Sequence, residues 1–138
     1  RRRPGRDGMI EDTTFVIDVL AGDDGALRRI DAIEGERRPE KVSAITVLEL
    51  YEGVARSSKP ESEKARVLDV LDSKHVVAAD RGIMRRAGEV SGNLVVEGRR
   101  IDREDCVVAA TALQEGEPVV TRNARHFERI PGVEVRTY

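Results

Sequence analysis

Short β-rich runs alternate with longer amphipathic stretches along nearly the whole chain, and that alternation restricts the fold more than any other feature. Met9 to Asp12 reads as a brief strand entering a helix over Thr14 to Leu20. The Gly22 Asp23 Asp24 Gly25 turn leads to a second helix, Ala26 to Ile33. Lys41 to Ile45 is the second predicted strand and runs directly into a helix, Thr46 to Arg56. Pro60 opens another, with Ala65, Leu68 and Leu71 along one face. His75 to Ala79 reads as strand three, after which Asp80 caps a helix reaching at least Val90. Asp102 caps an apolar helix containing Cys106 to Leu113, stopped by Gly116. Pro118 to Thr121 is strand four, Asn123 to Ile130 a short helix, Pro131 and Gly132 a turn, and Val133 to Thr137 a last strand at an edge. Strands separated by helices require right-handed crossovers, so the expected fold is α/β, a parallel sheet with helices on both faces.

With 138 residues there is room for one domain, which buries roughly 68% of its unfolded surface. No apolar run approaches the ~18 residues that a membrane span needs. A single cysteine, Cys106, forms no internal disulfide, and with only His75 and His126 beside it no Cys/His zinc set can be assembled. Any metal must therefore sit on oxygen ligands. Aromatic residues, at 3%, are too few for the base-stacking platforms of many single-strand RNA modules. Residues 1–8, rich in Arg, Pro and Gly, do not match the chain that follows; an upstream start or an expression remnant is expected there, and the domain is expected over 9–138. Leaving that segment out removes four arginines and one aspartate and moves the net charge from −2 to −5, an acidic balance that argues against broad electrostatic gripping of nucleic acid. The absence of paired cysteines, signal and anchor leads us to expect a cytoplasmic protein.

In open parallel sheets, ligands bind beyond the carboxyl ends of the strands. The residues expected there are acidic: Asp12 after strand one, Glu49 just after strand two, Asp105 at the start of a later helix, with Asn123 after strand four. Carboxylates converging from such distant stretches repel unless a divalent cation neutralises them or some are protonated. Mg²⁺ or Mn²⁺ suits oxygen ligands and can activate water against a phosphodiester. Each residue also has a plainer explanation. Thr46 and Glu49 fit a capping box, Asp102 and Asn123 fit N-caps, and Asp18 and His126 read as surface residues, with Cys106 as packing. Asp12, by contrast, has little reason to be acidic for stability where a buried strand ends.

Taken together, Met9 Ile10 Glu11 Asp12 Thr13 Thr14, then Thr46 Val47 Leu48 Glu49, then Asp105 through Leu113, then Val119 Val120 Thr121 Arg122 Asn123 with His126 Phe127, resemble the PIN-domain family, and within it the VapC-type toxins of prokaryotic toxin–antitoxin pairs. The resemblance implies a three-layer α/β/α sandwich and a Mg²⁺- or Mn²⁺-dependent endoribonuclease. It also implies a dimer held inactive by a small cognate antitoxin. The family's acids map onto Asp12, Glu49 and Asp105, as catalytic residues and metal ligands. Asn123 stands where many members have Asp, a neutral ligand that would weaken a second metal site. Thr14 and Thr121 match hydroxyl positions expected to face substrate or orient carboxylates, and Arg122 is placed to meet phosphate.

Two other acidic-site folds fall behind. A response-regulator receiver needs a lysine after a late strand, but the last one here is Lys74. A haloacid-dehalogenase-type phosphatase needs a second acid two residues after Asp12, where Thr14 stands. A PIN-like module that grips RNA or antitoxin without cutting is the remaining alternative.

Overall fold

The computed structural model describes residues 7–138; the expected leader lies, over residues 1–6, outside the described residues. The elements in chain order are β1 (Met9–Glu11), α1 (Thr13–Leu20), α2 (Asp24–Gly35), β2 (Glu40–Ser43), α3 (Ala44–Arg56) and α4 (Pro60–Asp72). They continue with β3 (His75–Val77), α5 (Arg81–Val96), α6 (Arg103–Glu115), β4 (Val119–Val120), α7 (Ala124–Glu128) and β5 (Val135–Arg136). The sheet order is β3-β2-β1-β4-β5 and every neighbouring pair is parallel. The chain thus starts in the middle of the sheet, builds outward to β3, and returns to add β4 and β5 on the other side.

Strand alternation distributes the core between two faces. Ile10, Val77 and Val119 pack with α5, α6 and α7. Met9 and Val120 pack with Phe15 of α1 and with Ala26, Ile30 and Ile33 of α2, while Val42 packs with Val16, Leu50, Val54 and Val67 of α1, α3 and α4. This is the expected three-layer α/β/α sandwich. Because the strands are only two to four residues long, their ladders supply few hydrogen bonds. Burial of side chains such as Phe15, Ile10 and Val119, each worth ~1.5–3 kcal/mol, is the larger stabilising term. Ala109 and Ala110 are fully buried, and their small side chains let α6 lie close to the sheet. Gly8 is also buried, and a Cβ there would come within 2.8 Å of the Pro39 carbonyl oxygen, so the packed chain begins before Met9.

Several local expectations are corrected. The second strand stops at Ser43, whose hydroxyl accepts from the Ile45 N–H (3.2 Å) and caps α3. Ile45 and Thr46 are therefore helical, and the Thr46–Glu49 capping box does not form. In α4 the buried residue is Val67, with Val70 and Leu71 packed beside it against α3, while Leu68 is 46% exposed and Ala65 is also outward. Asp102 and Asn123 occupy N-cap positions, but neither side chain makes a capping hydrogen bond. Asp80 does cap α5, accepting from the Ile83 N–H (2.9 Å).

Two lysines hold acids inside the sheet region. Lys41 Nζ reaches Glu115 (3.0 Å) and Glu117 (2.5 Å). Lys74 Nζ lies 2.6 Å from Glu11 and 2.8 Å from Glu40, with its side chain only 3% exposed and that of Glu11 fully buried. Burial pushes the Glu11 carboxyl up to about 8, against the opposing pull of Lys74. Removing one partner of such a pair strands the other. Lys74→Met is expected to cost ~3–5 kcal/mol in urea unfolding, and Glu11→Leu added to it to recover most of that loss. Equal stability of Lys74→Met and wild type would show that the pair is not coupled.

Candidate active site

Asp12 follows the central strand and is only 2% exposed. Its Oδ1 accepts from the Phe15 N–H (2.9 Å) and the Thr14 hydroxyl (2.8 Å), and its Oδ2 from the Thr121 hydroxyl (2.5 Å). The expectation that Asp12 has little structural reason to be acidic is corrected, since it is the N-cap of α1. The three donors favour its charged form, yet burial outweighs them and raises its pKa, with a smaller push from Asp105.

Glu49 projects from α3 and is half-buried. Its Oε1 accepts from the Thr13 hydroxyl (2.6 Å), which also shares a hydrogen bond with the Thr46 hydroxyl (3.0 Å). Burial raises its pKa, and the charges of Glu104, Asp105 and Asp12 add to that. Asp105, in the first turn of α6, lies 3.0 Å from His126 Nδ1 through its Oδ2. Burial raises Asp105 too, His126 opposes the shift, and Asp102 and Glu104 reinforce it. Asp12, Glu49 and Asp105 are thus brought into one electrostatic neighbourhood from the end of β1, from α3 and from the first turn of α6.

The other expected residues take more varied places. Thr14 is half-buried and Thr121 fully buried, and both hydroxyls are committed to Asp12. Thr121 has no exposed surface, and of the two roles expected of it, facing substrate or orienting a carboxylate, its hydrogen bond to Asp12 supports the second. Asn123 is half-buried; its backbone N–H donates to Thr121 Oγ1 (2.9 Å), and among the described residues its carboxamide makes no hydrogen bond. Arg122 is exposed, but its guanidinium is paired with Asp18 (3.2 Å).

Four neighbours escaped the sequence reading as functional residues: Thr13, Asp18, His126 and Tyr138. Asp18 is 8% exposed and accepts from the Tyr138 hydroxyl (2.5 Å), which burial and Asp18 together push upward. The signal available for Asp18 was its position in the helix that Asp12 caps. For His126 it was the short interval from Thr121. Tyr138 had none, since 120 residues separate it from Asp18.

The donor set is oxygen throughout, acidic, and raised in pKa by burial and mutual repulsion, which is the chemistry that a hard divalent cation relieves. In the described residues the side chains are not already drawn around one common point; no group of three is within ligating reach of a single ion. The residues fit such a cation by chemistry and neighbourhood, with side-chain rotation needed to close on it.

The sequence matches the PIN domain family over residues 9–133. The chain belongs to that family. It is 32% identical over 97 residues to a tRNA(fMet)-specific endonuclease VapC of Salmonella typhimurium, covering 70% of this chain and 74% of that protein. It is 35% identical over 89 residues to Ribonuclease VapC2 of Haemophilus influenzae, covering 64% and 67%. Among solved structures, this PIN domain superposes on the DNA-bound VapBC of Salmonella typhimurium with a TM-score of 0.84 at 27% identity, over 94% of this chain and 97% of that one.

Two predictions follow from the site geometry. Asp12→Asn, which retains a capping acceptor, is expected to fold with near wild-type stability, whereas Asp12→Ala loses ~0.5–2 kcal/mol in chemical denaturation. For Glu49 the folded-state pKa is raised, so its favourable contribution is complete below the usual carboxylate range and is lost as pH rises through the folded value. Metal-free thermal melts should therefore decline less between about pH 4 and 8 for Glu49→Gln than for wild type; parallel curves would mean that Glu49 feels no such penalty.

Proposed function

We propose that this PIN domain is a divalent-metal-dependent endoribonuclease and the toxin of a toxin–antitoxin pair. The observation that carries the proposal is the shared neighbourhood of Asp12, Glu49 and Asp105, three raised carboxylates with no lysine or arginine paired to any of them among the described residues. The ribonuclease names of the relatives support it. Asp12, Glu49 and Asp105 would hold Mg²⁺ or Mn²⁺, with Asn123 as a neutral additional donor. When bound, the ion supplies Lewis acidity that lowers the pKa of water and offsets charge accumulating on the phosphate.

The chain's own residues prepare the rest. Thr14, Thr121 and the Phe15 N–H hold both oxygens of Asp12 in one orientation. His126 fixes Asp105, and Thr13 fixes Oε1 of Glu49. Oε2 of Glu49 is left to accept a proton from the attacking water as the new P–O bond forms and the bond to the ribose oxygen breaks, the departing oxygen taking a proton from solvent and Glu49 releasing its own to solvent. Asn123 in place of an acid lowers the site's total negative charge, and one resident ion is the consequence we draw.

The small antitoxin and a homodimer are proposed from the VapBC complexes that share this fold. An apolar groove of about 320 Å³ between α1, α3 and α4, lined by Ile17, Leu20, Leu50 and Val54 and reaching Glu49, supports the antitoxin proposal, since an occupant there abuts the acids.

A cleavage assay tests the enzyme reading. Asp12→Asn and Asp105→Asn are each expected to abolish RNA cutting while circular dichroism and melting stay native. A chelator should stop the wild type, and added Mg²⁺ or Mn²⁺ should restore it. Parental rates in either variant, or cutting indifferent to chelation, would overturn the assignment, and RNA binding without products would favour a non-cleaving module.

A further inference from the structure

A groove of about 420 Å³ is lined by Arg99, Arg125, Glu128 and Arg129. Its walls are the α5–α6 loop and α7, and Arg129 Nη1 ties them together by donating to the carbonyls of Arg99 (3.3 Å) and Arg100 (3.2 Å). Arginines without a carboxylate partner occur elsewhere too, Arg28, Arg56 and Arg86 among the described residues, but several are closely matched: Arg85 with Glu89 (2.7 Å), Arg66 with Glu63 (3.0 Å), Arg136 with Glu134 (2.6 Å) and Arg122 with Asp18 (3.2 Å). Here they are not. Among the described residues Arg125 has no carboxylate partner, Arg129 bonds only to carbonyls, and Arg99 reaches Glu97 only at 4.0 Å.

The groove is also continuous in the chain with the acidic site. Arg125 immediately precedes His126, the partner of Asp105, and the loop carrying Arg99 runs directly into α6, whose first turn holds Asp105. Both walls are therefore extensions of the segments that carry one catalytic acid. A polyanion whose scissile phosphate sits at Asp105 meets these guanidiniums next, and each offers planar donors suited to phosphate oxygens.

We infer that the Arg99–Arg125–Arg129 groove holds the phosphodiester backbone of the RNA beside the cut site, an inference that rests on the endoribonuclease reading above. Arg99 and Arg125 contact phosphate, Arg129 positions the two walls, and Glu128 restrains affinity by its opposing charge.

The test measures binding of a single-stranded oligoribonucleotide of about 20 nucleotides by fluorescence anisotropy, with the full chain carrying Asp12→Asn and Mg²⁺ present, across a salt series. Arg99→Gln with Arg125→Gln is expected to weaken binding about tenfold and to flatten the slope of log K against log salt by about 1.4, two single-strand phosphate contacts at ~0.7 each. Glu128→Gln is expected to tighten binding several-fold, a gain that misfolding cannot mimic. In the otherwise wild-type chain the arginine pair should raise KM for the long RNA and leave kcat unchanged. An unaltered affinity and salt slope in the arginine variant overturns the groove even where the wild type cuts RNA. A wild type that cuts nothing but shows the arginine effect overturns the nuclease reading and leaves the groove standing.

Discussion

Three carboxylates, each wholly or partly buried and sharing one electrostatic neighbourhood, are the constraint around which the rest of this fold is arranged. Burial alone disfavours each charge, and proximity makes all three worse. The surroundings hold them with neutral donors or a histidine, so that their orientation is fixed with no lysine or arginine paired to any of them among the described residues. The charge on acids disfavoured in this way contributes nothing to stability, which is what supports reading them as the proposed site. Because β1 is the middle strand, its neighbours on either side lead into the remaining site segments, and Asp12 doubles as the cap that starts α1.

The neighbouring acid shows the contrast. Glu11 precedes Asp12 directly, but strand alternation turns it away, toward Lys74 and Glu40. There the chain provides its own cation, locked in the turn before β3. Glu117 has a similar arrangement with Lys41. Within a short stretch of the sheet, then, some buried acids have an internal ammonium and others have none. The difference sorts the ammonium-paired carboxylates from those proposed to take a divalent ion. Glu11 and Asp12 are both buried and both raised in pKa by it; the compensating partner differs.

Much of the architecture was legible in the sequence because period and punctuation agree: strand-like runs, capping Asp80, the stop at Gly116, and the small face of α6. Asp12, Glu49 and Asp105 could be singled out because parallel-sheet topology sends such residues to one edge. What could not be read were interactions set by tertiary placement. Ser43 captured the cap that Thr46 and Glu49 resembled. The face of α4 was misassigned because Leu68 and Val67 are both apolar, and only contact with α3 decides between them. Lys74 gave no sign of pairing with Glu11, and Tyr138 none of reaching Asp18, since local pattern carries no information across such separations.

An acidic domain that acts on a polyanion has an electrostatic problem, and the distribution of its arginines addresses it locally. Acidic residues outnumber basic ones over the chain and some arginines are paired with nearby carboxylates, so the surface does not project a broad positive field, and unspecific attraction of nucleic acid is weak. Concentrating unmatched guanidiniums where the chain carrying Asp105 emerges gives attraction only to a strand already placed near the acids. Such an arrangement makes recognition depend on the path of the RNA across the protein more than on its total charge. It also leaves the negative potential of Asp12, Glu49 and Asp105 in place, as the proposed binding of a divalent cation needs, since no arginine is paired with any of the three among the described residues.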